Sequence, residues 1–181
     1  SPTVKKQYFW IFNQIDPAKT TDQQLISTFP GYNFDMFTDP DMQYEIDVTQ
    51  PVGSRIKNLT YKGAPVTAAM NFIVATNNYR ASGGGNFPGL DGTKTIYASP
   101  DANRDVLISY IKKVTNVTRV ANGSARSWKF TKVTTTGKVV FSSGIGMQQQ
   151  ATDAGLTNIS LDKADDGSGK NLSQYKLDLS L

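Results

Sequence analysis

The run Asn77-Asn78-Tyr79-Arg80-Ala81-Ser82-Gly83-Gly84-Gly85-Asn86-Phe87-Pro88-Gly89 puts flat aromatic rings, amide side chains, a cation and three consecutive glycines in one short stretch. Each has a use at a site for a flat, polar, anionic ligand. A nucleobase offers two large π faces, and stacking on an aromatic ring is worth about 1–3 kcal/mol per base. An asparagine amide carries both a donor and an acceptor and can read a base edge. Glycines let the backbone come close to a ligand and expose its N–H groups. The run lacks the Gly-Lys-Ser/Thr of a phosphate loop and the Gly-x-Gly-x-x-Gly of a dinucleotide fingerprint. A ligand loop is therefore expected, and the loop type stays open.

The rest of the chain excludes several chemistries. It has 181 residues, no cysteine and no histidine. Disulfides, a thiolate nucleophile, a Ser-His-Asp triad and an imidazole zinc site are ruled out. Carboxylates alone could still hold a hard cation. Asp39, Asp41, Glu45 and Asp47 form one acidic cluster, and Asp162, Asp165 and Asp166 with Gly167 form another. The first reads as a solvated face. The second misses the calcium-loop spacing and reads as an exposed turn. The formal net charge is +4, with the lysines and arginines dispersed. That argues against a polynucleotide groove and suits a small anion. No apolar run approaches the length of a membrane span. The start, Ser1-Pro2-Thr3, carries no signal peptide and reads as a cut inside a longer protein.

The elements that must hold the glycine run follow from periodicity. Residues 4–15 contain Tyr8, Phe9, Trp10, Ile11 and Phe12 and are ambiguous between helix and strand. Residues 22–29 read as a helical turn or loop. Tyr44, Ile46 and Val48 alternate with Glu45, Asp47 and Thr49, the period of a strand with one wet face. Residues 55–61 give a second strand, and residues 71–76, Asn-Phe-Ile-Val-Ala-Thr, a buried third that delivers the chain into the glycine loop. Ser99, Pro100 and Asp101 suit the N-cap and first turn of a helix whose face is Val106, Leu107, Tyr110 and Ile111. Lys112 and Lys113 suit its end. Residues 128–133 and 138–142 read as two strands about a turn, residues 148–155 as a short helix, and residues 175–179 as a last strand. Trp128 and Phe130 read as core. Tyr32, Phe34 and Phe37 read as support beside the loop. Arg55 and Arg104 read as surface ion-pair residues with some reach to a phosphate. The sum is a single α+β domain with mixed sheet layers and few helices.

Several blocks together resemble the C-terminal domain of the 5'-nucleotidase superfamily, in particular its bacterial 2',3'-cyclic-nucleotide 2'-phosphodiesterase/3'-nucleotidase branch. They are Phe12-Asn13-Gln14-Ile15-Asp16-Pro17, Tyr32-Asn33-Phe34-Asp35, Tyr44-Glu45-Ile46-Asp47-Val48-Thr49-Gln50-Pro51 and Arg55-Ile56-Lys57-Asn58-Leu59-Thr60. Val74-Ala75-Thr76-Asn77-Asn78-Tyr79-Arg80 and Ala98-Ser99-Pro100-Asp101 with Asn103-Arg104 complete the set. The tail from residue 128 onward matches more weakly.

The resemblance implies a substrate-binding role here and catalysis elsewhere. Hydrolysis would belong to an N-terminal metallophosphoesterase domain of the same polypeptide with two divalent metal ions, so this chain would hold no catalytic residue and no metal. Tyr79 would be one side of an aromatic clamp on the base, with Asn78 and Arg80 flanking it. Gly83, Gly84 and Gly85 would be the close-approach loop, with Phe87 beside it. An extracellular, wall-associated or periplasmic bacterial enzyme is implied. Two departures stand out. Members acting on 5'-nucleotides carry an Asp where this chain has Gly85. The second clamp aromatic has no match in residues 1–12, which leaves Tyr79 as half a clamp. The residue types alone also fit a non-enzymatic extracellular module for carbohydrate.

Overall fold

The computed structural model describes residues 12–27, 36–85, 87 and 89–181. The apolar residues 8–11, the aromatics Tyr32 and Phe34, and Asn86 and Pro88 lie outside the described residues. The strands are β1 (Gln23–Gln24), β2 (Met42–Ile46), β3 (Ile56–Tyr61), β4 (Ala64–Pro65), β5 (Trp128–Phe130), β6 (Val139–Gly144), β7 (Ile159–Lys163) and β8 (Leu172–Leu177). The helices are α1 (Asn78–Ala81), α2 (Asn103–Val114), α3 (Arg119–Asn122) and α4 (Met147–Asp153). Among the described residues the strands form two four-stranded sheets, ordered β4-β3-β2-β5 and β1-β6-β8-β7. This is the α+β arrangement of mixed sheets and few helices that the sequence implies.

The period of two in β2 does what the sequence predicts. Met42, Tyr44, Ile46 and Val48 are buried, while Gln43 is exposed and Glu45 and Asp47 are half-buried. β2 pairs antiparallel with β3 and parallel with β5. The β2–β3 register slips between Gln43 and Glu45. Asn58 takes φ +50 at that slip, a conformation Asn tolerates better than most residues, and its Nδ2 donates to Glu45 Oε2 at 3.1 Å. The acidic cluster is a set of local pairs. Glu45 meets Lys129 at 3.3 Å, Asp41 meets Lys62 at 3.9 Å, and Asp47 accepts from Thr49.

Both sheets share one core. Phe12, Ile15, Leu25 and Ile26 pack with the inner face of β2 and with Val139, Leu177 and Leu179. Phe130 meets Phe12 edge-on at 5.5 Å and Trp128 at 5.4 Å, so β5 belongs to the core margin, as its aromatics suggest. The Tyr44 hydroxyl donates to the Phe37 carbonyl at 2.9 Å, and burial pushes its phenol above the ordinary value. Phe37 thus supports β2 through its backbone, and it lines the same cleft as Asn77, Arg80 and Phe87.

Several expectations need correction. Residues 71–77 form no strand. β4 is an edge ending in Pro65, which has no N–H to extend a ladder. Residues 71–77 are also all exposed and not buried, Ile73 by 85%, and Phe72 lies edge-on to Tyr61 at 5.1 Å. Residues 23–24 form a short strand parallel to β6 in place of a helical turn or loop. β5 and β6 sit in different sheets and do not flank one hairpin. Helix α2 starts at Asn103 with Ala102 as N-cap, because Ser99 bonds Asp101 N in a turn of its own. Its apolar residues, Val106, Leu107, Tyr110 and Ile111, are all exposed. Arg55 is 3% exposed and is no surface residue.

In the second sheet, Asp162 Oδ1 lies 2.6 Å from Lys138 Nζ, and its Oδ2 accepts from Gln174 Nε2 at 2.7 Å. Asp165 and Asp166 accept from Gly167 N and Ser168 N within the turn. The lysine bond first, then Gln174, hold the Asp162 carboxyl below its usual range. A lowered folded-state pKa means that the unfolded chain binds the proton more readily. The contribution is therefore complete above the ordinary aspartate value of about 3.9 and is lost as pH falls through the lowered value. Asp162→Asn should remove this part of the acid sensitivity. Urea denaturation at about pH 3 and about pH 6 measures it, and an unchanged stability difference between the two pH values would overturn the assignment.

Candidate functional site

Asn77 organises the glycine run from its start. Its Oδ1 accepts from Arg80 N at 2.8 Å and caps the single turn α1. The chain then folds back. Ser82 N donates to Asn78 O, Gly83 N to Arg80 O and Gly84 N to Tyr79 O, at 3.0, 3.1 and 2.8 Å. Sequence reading missed the role of Asn77, although an Asn before a short helical turn is an N-cap signal.

This return path sets Gly84 against the Tyr79 ring. A Cβ at position 84 would lie 2.6 Å from both Cε1 and Cε2 of that ring and 2.5 Å from the Tyr79 carbonyl oxygen. The backbone of Gly84 lies outside the left-handed region, so contact alone demands glycine here. The ring is backed by main chain, and yet Tyr79 as a residue is 62% exposed. An aromatic platform needs both properties: a fixed ring and an open face.

Arg80 and Phe87 complete the group. The guanidinium carbon of Arg80 lies 5.3 Å from the Tyr79 ring centroid and 5.0 Å from that of Phe87. Both distances are within cation–π range. Gly85 takes φ +77, and a Cβ there would fall 2.1 Å from Arg80 Nη1. Gly83 takes φ +100 and faces the Leu90 carbonyl. Of the residues singled out from sequence, Tyr79, Arg80, Gly84, Gly85 and Phe87 therefore form one contact group, with Gly83 at its hinge. Asn78 stands apart: it is exposed, and its amide makes no hydrogen bond among the described residues.

Behind the group lies an apolar cleft of about 1700 Å³, walled by Phe72, Val74, Ile56 and Trp128. Asn77, Arg80 and Phe87 reach it, whereas Tyr79 faces outward and is not part of its lining. Arg104, the other arginine with possible reach to a phosphate, pairs with its neighbour Asp105 at 3.3 Å on α2. No cluster of three or more metal-binding side chains occurs among the described residues. None of their helices is long and apolar enough to cross a membrane.

Comparison with known proteins agrees on the domain. Residues 13–92 match the family model for the 5'-nucleotidase C-terminal domain. The chain is 46% identical over 113 residues to the Bacillus subtilis trifunctional nucleotide phosphoesterase protein YfkN, covering 55% of this chain and 8% of that protein. It is 38% identical over 139 residues to a 2',3'-cyclic-nucleotide 2'-phosphodiesterase/3'-nucleotidase of Haemophilus influenzae, covering 68% of this chain and 21% of the relative. A Salmonella typhimurium protein of the same name is 44% identical over 114 residues, covering 55% and 17%. The chain thus spans about a fifth or less of the length of these relatives. No solved structure matches it.

Proposed function

We propose that this chain, which belongs to the 5'-nucleotidase C-terminal domain family through residues 13–92, supplies the nucleoside-binding surface of an exported phosphoesterase acting on 2',3'-cyclic nucleotides and 3'-nucleotides. The observation that carries the reading is the Tyr79 ring, backed by Gly84 in a residue that stays 62% exposed. A base stacks on the exposed side of that ring. Asn78, exposed at the start of α1, is within the same turn to read its edge. Gly83, Gly84 and Gly85 bring main chain close to the ligand, and the Arg80 guanidinium lies within cation–π distance of both the Tyr79 and Phe87 rings.

Catalysis is assigned to a separate metal-bearing domain of the same polypeptide. The donor set here does not fit two divalent ions, because the chain has no histidine or cysteine and no three of its described carboxylates are placed to hold an ion together. The chain alone is expected to bind and not to hydrolyse. Turnover of adenosine 3'-monophosphate by the pure chain would sink that assignment.

A two-dimensional NMR titration with adenosine 3'-monophosphate tests the binding, with ribose phosphate and a neutral oligosaccharide as controls. A single stacking face suggests a dissociation constant on the order of millimolar, about −4 kcal/mol. Shifts centred on Tyr79 and residues 83–85, absent with both controls, are expected. An oligosaccharide response at the same residues would favour a carbohydrate module instead. Gly84→Ala should push the ring off its backing and weaken binding about tenfold. Full affinity in a folded Gly84→Ala chain would show that the backing is irrelevant.

A further inference from the structure

We infer that helix α2 is a strap that closes onto the apolar cleft behind the glycine loop, burying there the apolar face that is open to solvent in this arrangement of the chain. The inference stands apart from the nucleoside reading. Its first basis is the helix itself. Val106, Leu107, Tyr110 and Ile111 fall on one face by their spacing, all four are exposed, and α2 buries no residue. A helix of 12 residues is marginal in water unless such a face packs against something. The caps of α2 do not make up the difference. Ala102 gives no side-chain bond at the N-terminus, and the C-cap is Thr115 at φ +58, a strained conformation for a β-branched residue.

The second basis is the cleft. At about 1700 Å³ it exceeds the roughly 300–1000 Å³ of an ordinary small-molecule site. A helix as long as α2 is about 18 Å long and about 10 Å across, a cylinder of roughly 1400 Å³. The surfaces match as well as the sizes, since Ile56, Phe72, Val74 and Trp128 wall the cleft. The chain itself holds the helix within reach. Arg119 and Val120 of α3 line the cleft, and Asn122 Nδ2 of the same α3 donates to Tyr110 Oη of α2 at 2.8 Å. Residues 115–118 join α2 to Arg119, a span of at most about 18 Å when fully extended. On the other side Leu90 lines the cleft, and residues 91–102 leave slack for the helix to swing. A face tethered in this way meets the cleft at a high effective concentration, which favours α2 over a second copy as the occupant. Asn77, Arg80 and Phe87 also line the cleft, so a docked α2 adjoins the glycine loop at these residues.

Amide hydrogen exchange of the chain, read by NMR, tests the closure. Amides of residues 107–113 should exchange at least about 100-fold more slowly than in an unstructured chain. Val74→Asp puts a charge in the cleft wall, at a residue that is exposed and outside every strand, and should cut that protection at least about tenfold. Leu107→Lys should do the same from the helix side, because lysine is nearly as good a helix former as leucine. Ile73→Asp is the control. Ile73 is exposed beside Val74 and does not line the cleft, so α2 should stay protected. Unchanged protection of β6 and β8 reports an intact core, and if Val74→Asp disturbs them, Leu107→Lys decides. The inference is overturned by α2 amides that exchange as in an unstructured chain, by protection that survives Val74→Asp with the core intact, or by protection that survives Leu107→Lys. It is overturned equally if Ile73→Asp acts as strongly as Val74→Asp. Protection that rises with chain concentration would seat α2 against a second copy and overturn it too.

Discussion

Tyr79→Ala is expected to lower the affinity for adenosine 3'-monophosphate by roughly 10- to 100-fold, the loss of about 1–3 kcal/mol of base stacking. Tyr79→Phe should keep most of it, because the face of the ring does the stacking. The substitution should leave folding alone. Tyr79 is 62% exposed and is not among the residues of the shared core. Trp128 and Phe130 make the contrast. They pack against that core and each other, so alanine there should cost stability first and binding only through it. Binding titration paired with a thermal melt separates the cases. A Tyr79→Ala chain that melts normally and binds normally would remove Tyr79 from the site.

The parts of the fold legible in the sequence are those where one local signal decides. Tyr44, Ile46 and Val48 announce β2 because a half-buried strand must alternate, and the structure buries all three. Met147–Asp153 is helical where the sequence implies a short helix. Gly84 can be suspected from its company, but its steric cause cannot, since it depends on the chain folding back on Tyr79. Strand pairing is what the sequence hides. Residues 71–76 have the composition of a buried strand, yet a strand exists only if a neighbour offers its hydrogen bonds, and the edge at Pro65 has no N–H to give. Gln23 and Gln24 look polar and unpromising, and they pair because β6 runs beside them. Ser99 is a sound capping residue with a nearer donor, Asp101 N. Nothing in residues 128–142 reveals that β5 and β6 go to different sheets.

Arg55 shows how charge misleads a sequence reading, and it carries the largest expected effect on stability. Its Nε donates to the Gln50 carbonyl at 2.9 Å and its Nη1 to the Phe12 carbonyl at 2.7 Å. One guanidinium thus joins the β2–β3 connection to the chain entering the core, across 43 positions of sequence. Burial lowers its pKa from the ordinary value, a cost accepted because carbonyl oxygens face the donors. Arg55→Met keeps most of the stem and removes the fork, leaving buried carbonyls without these donors. The expected loss is about 3 kcal/mol, which at this chain length corresponds to a melting temperature lower by roughly 6–12 °C. Arg55→Lys should fall between, since an ammonium cannot span both carbonyls in one plane. If Arg55 instead served the ligand, Arg55→Met would weaken nucleotide binding and leave the melt unchanged. The buried fork requires the reverse, a lower melting temperature with binding retained in whatever fraction stays folded.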